Sequence, residues 1–399
     1  MTAIERRIRE YAQRARAVQA AGLYFYLQPV DAIDGAFVTI RGRRMLLASS
    51  YSYLGLLGHP AIQAAAQEAV ARYGTGTHGV RLLAGNTDLH DHMEARIARF
   101  VGAEAAAVYS SGYLANVAAI SALLGRDDVV VCDKLDHASI VDGCLLSGAR
   151  FVRVPHNDIE AFERALAKVP ASVSKLVVVD AVFSMDGDVI DLPPLVDACR
   201  RHGAWLMVDE SHSLGVLGDR GQGIEAHFGL PGVIDVKMSS LSKSIPSAGG
   251  HIAGSRDLVT YLKHASRAFV FSAALPPASA AAILASLDIM EAEPERVTRV
   301  QALSRRLRSA LRAGGIPVRE DPTPIVPVIT GDDEAAMRIA RYLDDHDIFA
   351  LPIVSPAVPP KTSRLRITVT AAHSEADADR IASALVAAWH TVIPTPTTP

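Results

Sequence analysis

From about residue 104 the chain alternates short apolar runs with helical patterns, and this alternation limits its fold more than any other feature. "AAAVYS" precedes "GYLANVAAISALLG", "DVVVCD" precedes "HASIVDGCLLSG", and "FVRVP" precedes "IEAFERALAKV". "KLVVVDAVFS" then precedes "LPPLVDACRRHG", with "AWLMVDE", "IDVKMSS" and "GHIAG" beyond. Val-, Ile- and Leu-rich runs this short, set between helices, are strands of a mostly parallel sheet covered on both faces. The fold class is therefore α/β. After "FSAALPP" the texture changes to a long helical region, then "PIVPVIT", "EAAMRIARYLDDHDIF", "RLRITVT" and a last helix "EADADRIASALVAAWH". The expected division is an N-terminal helix and arm over 1–50, a large domain over 51–284 and a smaller α+β domain over 285–399. The Pro/Thr-rich end "TPTTP" is expected to fray.

Composition removes several function classes. With 399 residues, 49% hydrophobic and 21% charged, the chain can bury a large core and has the balance of a folded protein. A net charge of −3 without a long basic run points away from nucleic acid and anionic membranes. No apolar run is long enough for a transmembrane helix. The opening "MTAIERRIREYAQRARAVQAAGLYFYLQP" reads as an amphipathic helix with an aromatic exit, not a secretory signal, so a cytoplasmic protein is expected. Cys132, Cys144 and Cys199 form no paired motif, which indicates neither a disulfide framework nor a metal site.

Gly74, Gly76 and Gly79 have the spacing of a dinucleotide-binding loop. That loop needs a strand before it and a helix directly behind. Here "HPAIQAAAQEAVARYG" in front is an Ala-rich helix, and no helix start follows until "TDLHDHMEARIARF". The dehydrogenase reading fails, and the glycines mark a loop with permissive torsions. "VDESH" imitates a nucleotide-hydrolase box, but the phosphate-binding loop that such enzymes need is absent. What remains is a set of polar groups at strand ends, where open α/β sheets gather ligands. "AWLMVDESH" ends a strand in Asp209, with His212 three residues on, and "SSLSKS" puts Lys243 among serines after another strand. A lysine amine, a strand-end carboxylate and a hydroxyl-rich turn are the parts that pyridoxal phosphate (PLP) requires: a Schiff-base partner, a counter-charge for the ring nitrogen, and donors for the phosphate.

The blocks "YSSGYLANVAAISAL", "DKLDHASIVDGC", "DAVFSMDGDVIDL", "VDESHSLGVLG", "SLSKSIPSAGG", "FVFSAALPP" and "RLRITVTAAH" closely resemble, in order, those of the α-oxoamine synthases. The resemblance covers about residues 22–385. It implies a fold-type-I PLP-dependent transferase with a central, mostly parallel seven-stranded sheet and a smaller C-terminal domain. It also implies condensation of an amino acid with an acyl thioester, on CoA or an acyl-carrier protein, with loss of carbon dioxide and release of an α-amino ketone. By the same resemblance Lys243 is the Schiff-base lysine, Asp209 pairs with the pyridinium nitrogen, His137 stacks on the ring, and His212 and Ser184 bond its 3′-oxygen. Gly112, Tyr113, Ser240 and Ser242 would hold the phosphate, and Ser272 would come from the neighbouring subunit of a homodimer with shared active sites. Arg366 would hold the substrate carboxylate, with Arg364 on the same strand face as the alternative.

The segment "GTGTHGVRLLAGNTDLHDHME" resembles the family's substrate-channel segment; His90 and His92 in it read as surface or interface residues, not metal ligands. Ser52 stands where several members carry Asn, Asp180 where many carry Glu, and "PAVPPKTSRLR" lacks the usual glycine. Ser52 and Arg81 are the further substrate-site candidates, and "GVR" with "DHASIVDGC" is nearest to the bacterial serine palmitoyltransferase branch. The amino acid (serine, alanine or glycine) stays open. So do the 8-amino-7-oxononanoate synthase and 2-amino-3-ketobutyrate ligase activities within the family, and outside it a fold-type-I aminotransferase or an inactive partner subunit.

Overall fold

The computed structural model describes residues 1–393, and the "TPTTP" end lies outside them. Seven strands form the central sheet: β1 (Ala105–Tyr109), β2 (Val129–Asp133), β3 (Arg150–Val154), β4 (Lys175–Asp180), β5 (Trp205–Asp209), β6 (Val236–Ser242) and β7 (Pro246–Gly254). Their order across the sheet is β1-β7-β6-β5-β4-β2-β3. Neighbours from β6 to β3 run parallel, while β7 runs antiparallel to both β1 and β6. All seven strands are the seven apolar runs of the sequence. Every residue of β2 and β4 is buried, as helices on both faces require. Asp180 and Asp209 close β4 and β5 and sit directly opposite each other in register. The helix Gly112–Leu123 leaves β1 and starts beside β6, so its first turn reaches the carboxyl ends of the same strands.

The smaller domain pairs Ile325–Gly331, Ser363–Thr368 and Pro352–Ile353 in an antiparallel sheet under the helices Glu295–Ala313, Asp333–Asp345 and Glu375–Val392. Two expected boundaries move. Position 285 falls inside the helix Pro277–Ala292, whose Ala280, Ile283, Leu287 and Met290 pack into the large domain, so the division lies at the break before Glu295. The arm is not a separate unit either. Its strand Arg43–Leu47 pairs in parallel with Ile348–Phe349, and Phe25, Ala36, Leu46 and Ala48 join the core of the small domain. The first helix, Ala3–Ala20, is closed by a Thr2–Glu5 capping box and buries none of its residues. No helix among the described residues is long and apolar enough to cross a membrane.

Arg308 is a fixed point of the small domain. It is 1% exposed and has no carboxylate partner among the described residues; its guanidinium donates to the carbonyls of Arg319, Thr323 and Ile325 and to Ser304 Oγ. Burial brings its pKa down to about 10, so it remains charged at neutral pH. Arg308→Met keeps the apolar stem and strands those carbonyls. It should cost about 3 kcal/mol, read as a lower midpoint in chemical unfolding, since each unpaired buried acceptor costs about 1–3 kcal/mol.

Candidate active site

A cavity of about 240 Å³ lies at the carboxyl ends of β4, β5 and β6. Gly112, Tyr113, His137, Ser184, Asp209, His212, Ser240, Ser242 and Lys243 all line it, so nine of the residues singled out in the sequence meet in one place. The sequence reading missed Asn116, Ser139, Ser111 and Ser211, which line the same space.

Asp209 is 4% exposed, and both carboxylate oxygens are held: Oδ2 accepts from Asn116 Nδ2 at 2.7 Å and Oδ1 from the Ser211 amide at 2.9 Å. Lys243 follows β6 directly, where the pairing with β7 slips between Pro246 and Gly250. Burial lowers the pKa of its amine, against the opposing pull of Asp209 and Asp180, and so favours the neutral, nucleophilic form. Asp180 is pushed well upward by burial and by the neighbouring Asp209 charge, which favours its protonated form. One of its oxygens accepts from the His137 amide at 2.9 Å and thereby fixes the start of the helix Ala138–Ser147.

The opposite wall is built on glycine. A Cβ on Gly112 would come within 2.8 Å of Ser240 Cβ, and one on Gly250 would collide with the Gly112 backbone. Only bare backbone lets the first turn of Gly112–Leu123 close onto β6 and β7, where Ser240 Oγ and Ser242 Oγ lie 2.7 Å apart. A helix start and paired hydroxyls suit a phosphate. With Lys243 and Asp209 they make a donor set that fits PLP.

Above the cavity floor, Arg366 Nη2 donates to Tyr53 Oη at 2.9 Å, and Tyr53 Oη lies 2.6 Å from His212 Nδ1. Tyr53 stays a protonated phenol, and the acceptor within reach of its proton is His212 Nδ1, which leaves the histidine proton on Nε2. Burial, with nearby cations second, holds His212 well below the usual imidazole range, so it is a neutral donor. Tyr53 is fully buried and its phenol is pushed up to about 12 by burial. Of the two arginines on Ser363–Thr368, Arg364 is bound to Asp186 at 2.7 Å and to the Met185 carbonyl, whereas Arg366 bonds the Ser184 carbonyl and covers the Tyr51 ring. Of the two, Arg366 is the one tied to a cavity-lining histidine, through Tyr53.

Three candidates lie elsewhere. Ser52 Oγ accepts from the Leu57 amide and belongs to a turn under Thr370 and His373. Ser272 is in the bend beside the Val80–Ala273 bridge, outside the cavity lining of its own chain. Arg81 is 9% exposed and its guanidinium is taken up by Glu94 at 2.9 and 3.0 Å, by Asn86 and by Asp91. These contacts occupy four of its five N–H donors and tie it to the helix Asp88–Phe100, away from the cavity. His90 is likewise no surface residue. It is fully buried between Thr87 Oγ1 and the Leu275 carbonyl, while His92 is exposed. An unforeseen ion pair braces the Ser184 loop: His156 bridges Asp133 at 3.1 Å and Asp188 at 2.9 Å, edge-on to Phe183.

The family model for class I and II aminotransferases matches residues 43–385. The chain is 45% identical to an 8-amino-7-oxononanoate synthase of Geobacter sulfurreducens over 94% of its length and 97% of the relative's. It is 39% identical to a serine palmitoyltransferase of Sphingobacterium spiritivorum, covering 90% of each chain. Among solved structures, serine palmitoyltransferase from Sphingomonas wittichii superimposes with a TM-score of 0.95 at 31% identity, over 99% of this chain and 100% of that one. The enzyme from S. paucimobilis with a bound PLP–myriocin aldimine gives 0.93 at 31% identity, over 96% and 97%.

Two outcomes follow from the geometry. Gly250→Ala should push the first turn of Gly112–Leu123 off the serines and raise the dissociation constant for PLP at least about tenfold, near 1.4 kcal/mol, in a spectral titration. For His156, burial disfavours the imidazolium, but Asp133 and Asp188 outweigh it and raise the pKa from 6.5 to about 9. A raised folded-state pKa gives stability that is complete below about pH 6.5 and is lost as the pH climbs through about 9. His156→Gln should flatten that part of the stability–pH curve measured by chemical unfolding.

Proposed function

The chain belongs to the class I and II aminotransferase family and, within it, to the α-oxoamine synthases, PLP-dependent enzymes that join an amino acid to an acyl thioester with loss of carbon dioxide; from that premise we propose that it acts as a serine palmitoyltransferase-like enzyme on a small L-amino acid. The observation that carries the proposal is the meeting of Lys243, Asp209, His137 and His212 in one cavity, with Arg366 tied to it through Tyr53. PLP supplies an electron sink for the charge left on the amino-acid α-carbon when a proton or carbon dioxide departs.

The residues of this chain do the rest. Lys243 tethers the cofactor and moves the proton at the α-carbon. Asp209, locked by two hydrogen bonds, would pair with the ring nitrogen and favour its cationic form. His137 would lie against the ring, while His212, a donor through Nε2, and Ser184 would hold its oxygen. Gly112, Tyr113, Ser240 and Ser242 receive the phosphate. Arg366 presents a planar fork to the substrate carboxylate and is oriented by Ser184 and Tyr53. The active unit is a homodimer in which Ser272 serves the partner's site. Exposed Leu83 and Phe271, carried on two segments joined by the Val80–Ala273 bridge, support an interface there. A second substrate reading, 8-amino-7-oxononanoate synthase activity, is favoured by the 45% identity to the Geobacter enzyme.

Carboxyl-labelled serine, alanine and glycine, each supplied with acyl thioesters of graded length on CoA and on an acyl-carrier protein, separate these readings. We expect labelled carbon dioxide and an α-amino ketone whose mass identifies both substrates. Lys243→Ala should abolish release, together with the visible absorbance band that borohydride removes. Amino-group exchange without carbon dioxide would make the protein an aminotransferase instead.

A further inference from the structure

Asn116, one of the two donors that hold Asp209, is also the most tightly enclosed polar side chain of the cavity. It is 0% exposed, one turn into the helix Gly112–Leu123, on an otherwise apolar stretch. Its Nδ2 donates twice, to Asp209 Oδ2 at 2.7 Å and to Ser139 Oγ at 2.9 Å, while its Oδ1 is buried without a partner. Chemistry fixes this orientation, since the flipped amide would set its oxygen against a carboxylate oxygen with no proton between them.

From Asn116 the polarity runs one way. Ser139 Oγ accepts from Asn116 and lies 2.7 Å from His137 Nδ1. The Ser139 backbone amide, which can only donate, points at that same nitrogen from 3.3 Å, so the hydroxyl proton goes to it too. Two donors aimed at Nδ1 require that atom to be bare, and in a neutral imidazole the proton then sits on Nε2. Burial lowers the His137 pKa and supports the neutral form. The result is a continuous chain, Asp209–Asn116–Ser139–His137, that joins the acid under the ring nitrogen to the imidazole over the ring face.

We propose that Asn116 and Ser139 are positioning residues: they hold Asp209 and His137 as one hydrogen-bonded unit and set His137 as a neutral donor through Nε2. The inference rests on the cofactor placement proposed above. Removing Ser139 cuts the unit on the histidine side and leaves the bond from Asn116 to Asp209 in place. Removing Asn116 cuts both.

The test uses holoenzyme labelled with nitrogen-enriched histidine, with His137 assigned through His137→Gln. Nitrogen NMR of wild type should show a protonated Nε2 and a bare Nδ1 at His137. Ser139→Ala should give a mixture of tautomers and about tenfold weaker binding of the amino acid, with PLP affinity and the visible spectrum unchanged. Ser139→Thr, which keeps the hydroxyl, should restore the wild-type tautomer. Asn116→Ala should in addition weaken PLP about tenfold and shift the visible band. A proton on Nδ1 in wild type, or wild-type tautomer and amino-acid affinity in Ser139→Ala, overturns the inference, and the serine variants keep it testable should Asn116→Ala not fold. Absence of a borohydride-sensitive band in wild type would instead count against the cofactor placement itself, and the tautomer measurement does not depend on that band.

Discussion

A carboxylate buried at the end of a central strand is costly unless every lone pair facing protein is met. Asp209 meets that condition through Asn116 and the Ser211 amide, and the rest of the site is arranged around it. The parallel sheet brings β4, β5 and β6 to one end. Asp180, Asp209 and the Lys243 turn therefore converge without any long-range loop having to find them. The glycines at 112 and 250 complete the enclosure by letting two backbones touch.

Charge is distributed with the same economy. Of the acids beside the cavity, Asp180 is driven toward its neutral form, and Asp133 and Asp188 are answered by His156. The two histidines that line the cavity both receive a proton donor at Nδ1, from Tyr53 in one case and Ser139 in the other. Both are thus neutral donors, and neither adds positive charge to a pocket that also holds Lys243.

Much of this was legible in the residues alone. The seven apolar runs are the seven strands; their limits are sharpest in β2 and β4, which are buried throughout and carry no polar residue between their ends. Lys243, Asp209 and His212 sit at or just beyond strand ends, places the alternation itself defines, whereas His137 is marked by the family resemblance of "DHASI". Asn116 left a trace as a lone amide in an Ala- and Val-rich helix, but its target, Asp209, is 93 residues away. His90 reads from the sequence as a surface or interface residue because a polar residue at a helix start looks exposed until its cover is known, and here the cover is the Leu275 carbonyl from a distant segment. The N-terminal arm joins the small domain through a pairing with Ile348–Phe349 that no local pattern announces. The decision between Arg364 and Arg366 needed the position of the Ser184–Asp186 loop, which only the fold supplies.

The measurement that bears most directly on the central claim is an experimental structure of the holoenzyme. The account predicts density continuous from Lys243 Nζ to the cofactor's aldehyde carbon and an Asp209 oxygen at hydrogen-bond distance from the ring nitrogen. A ring seated elsewhere, such as in the cavity of about 550 Å³ between the arm and the small domain, would contradict it.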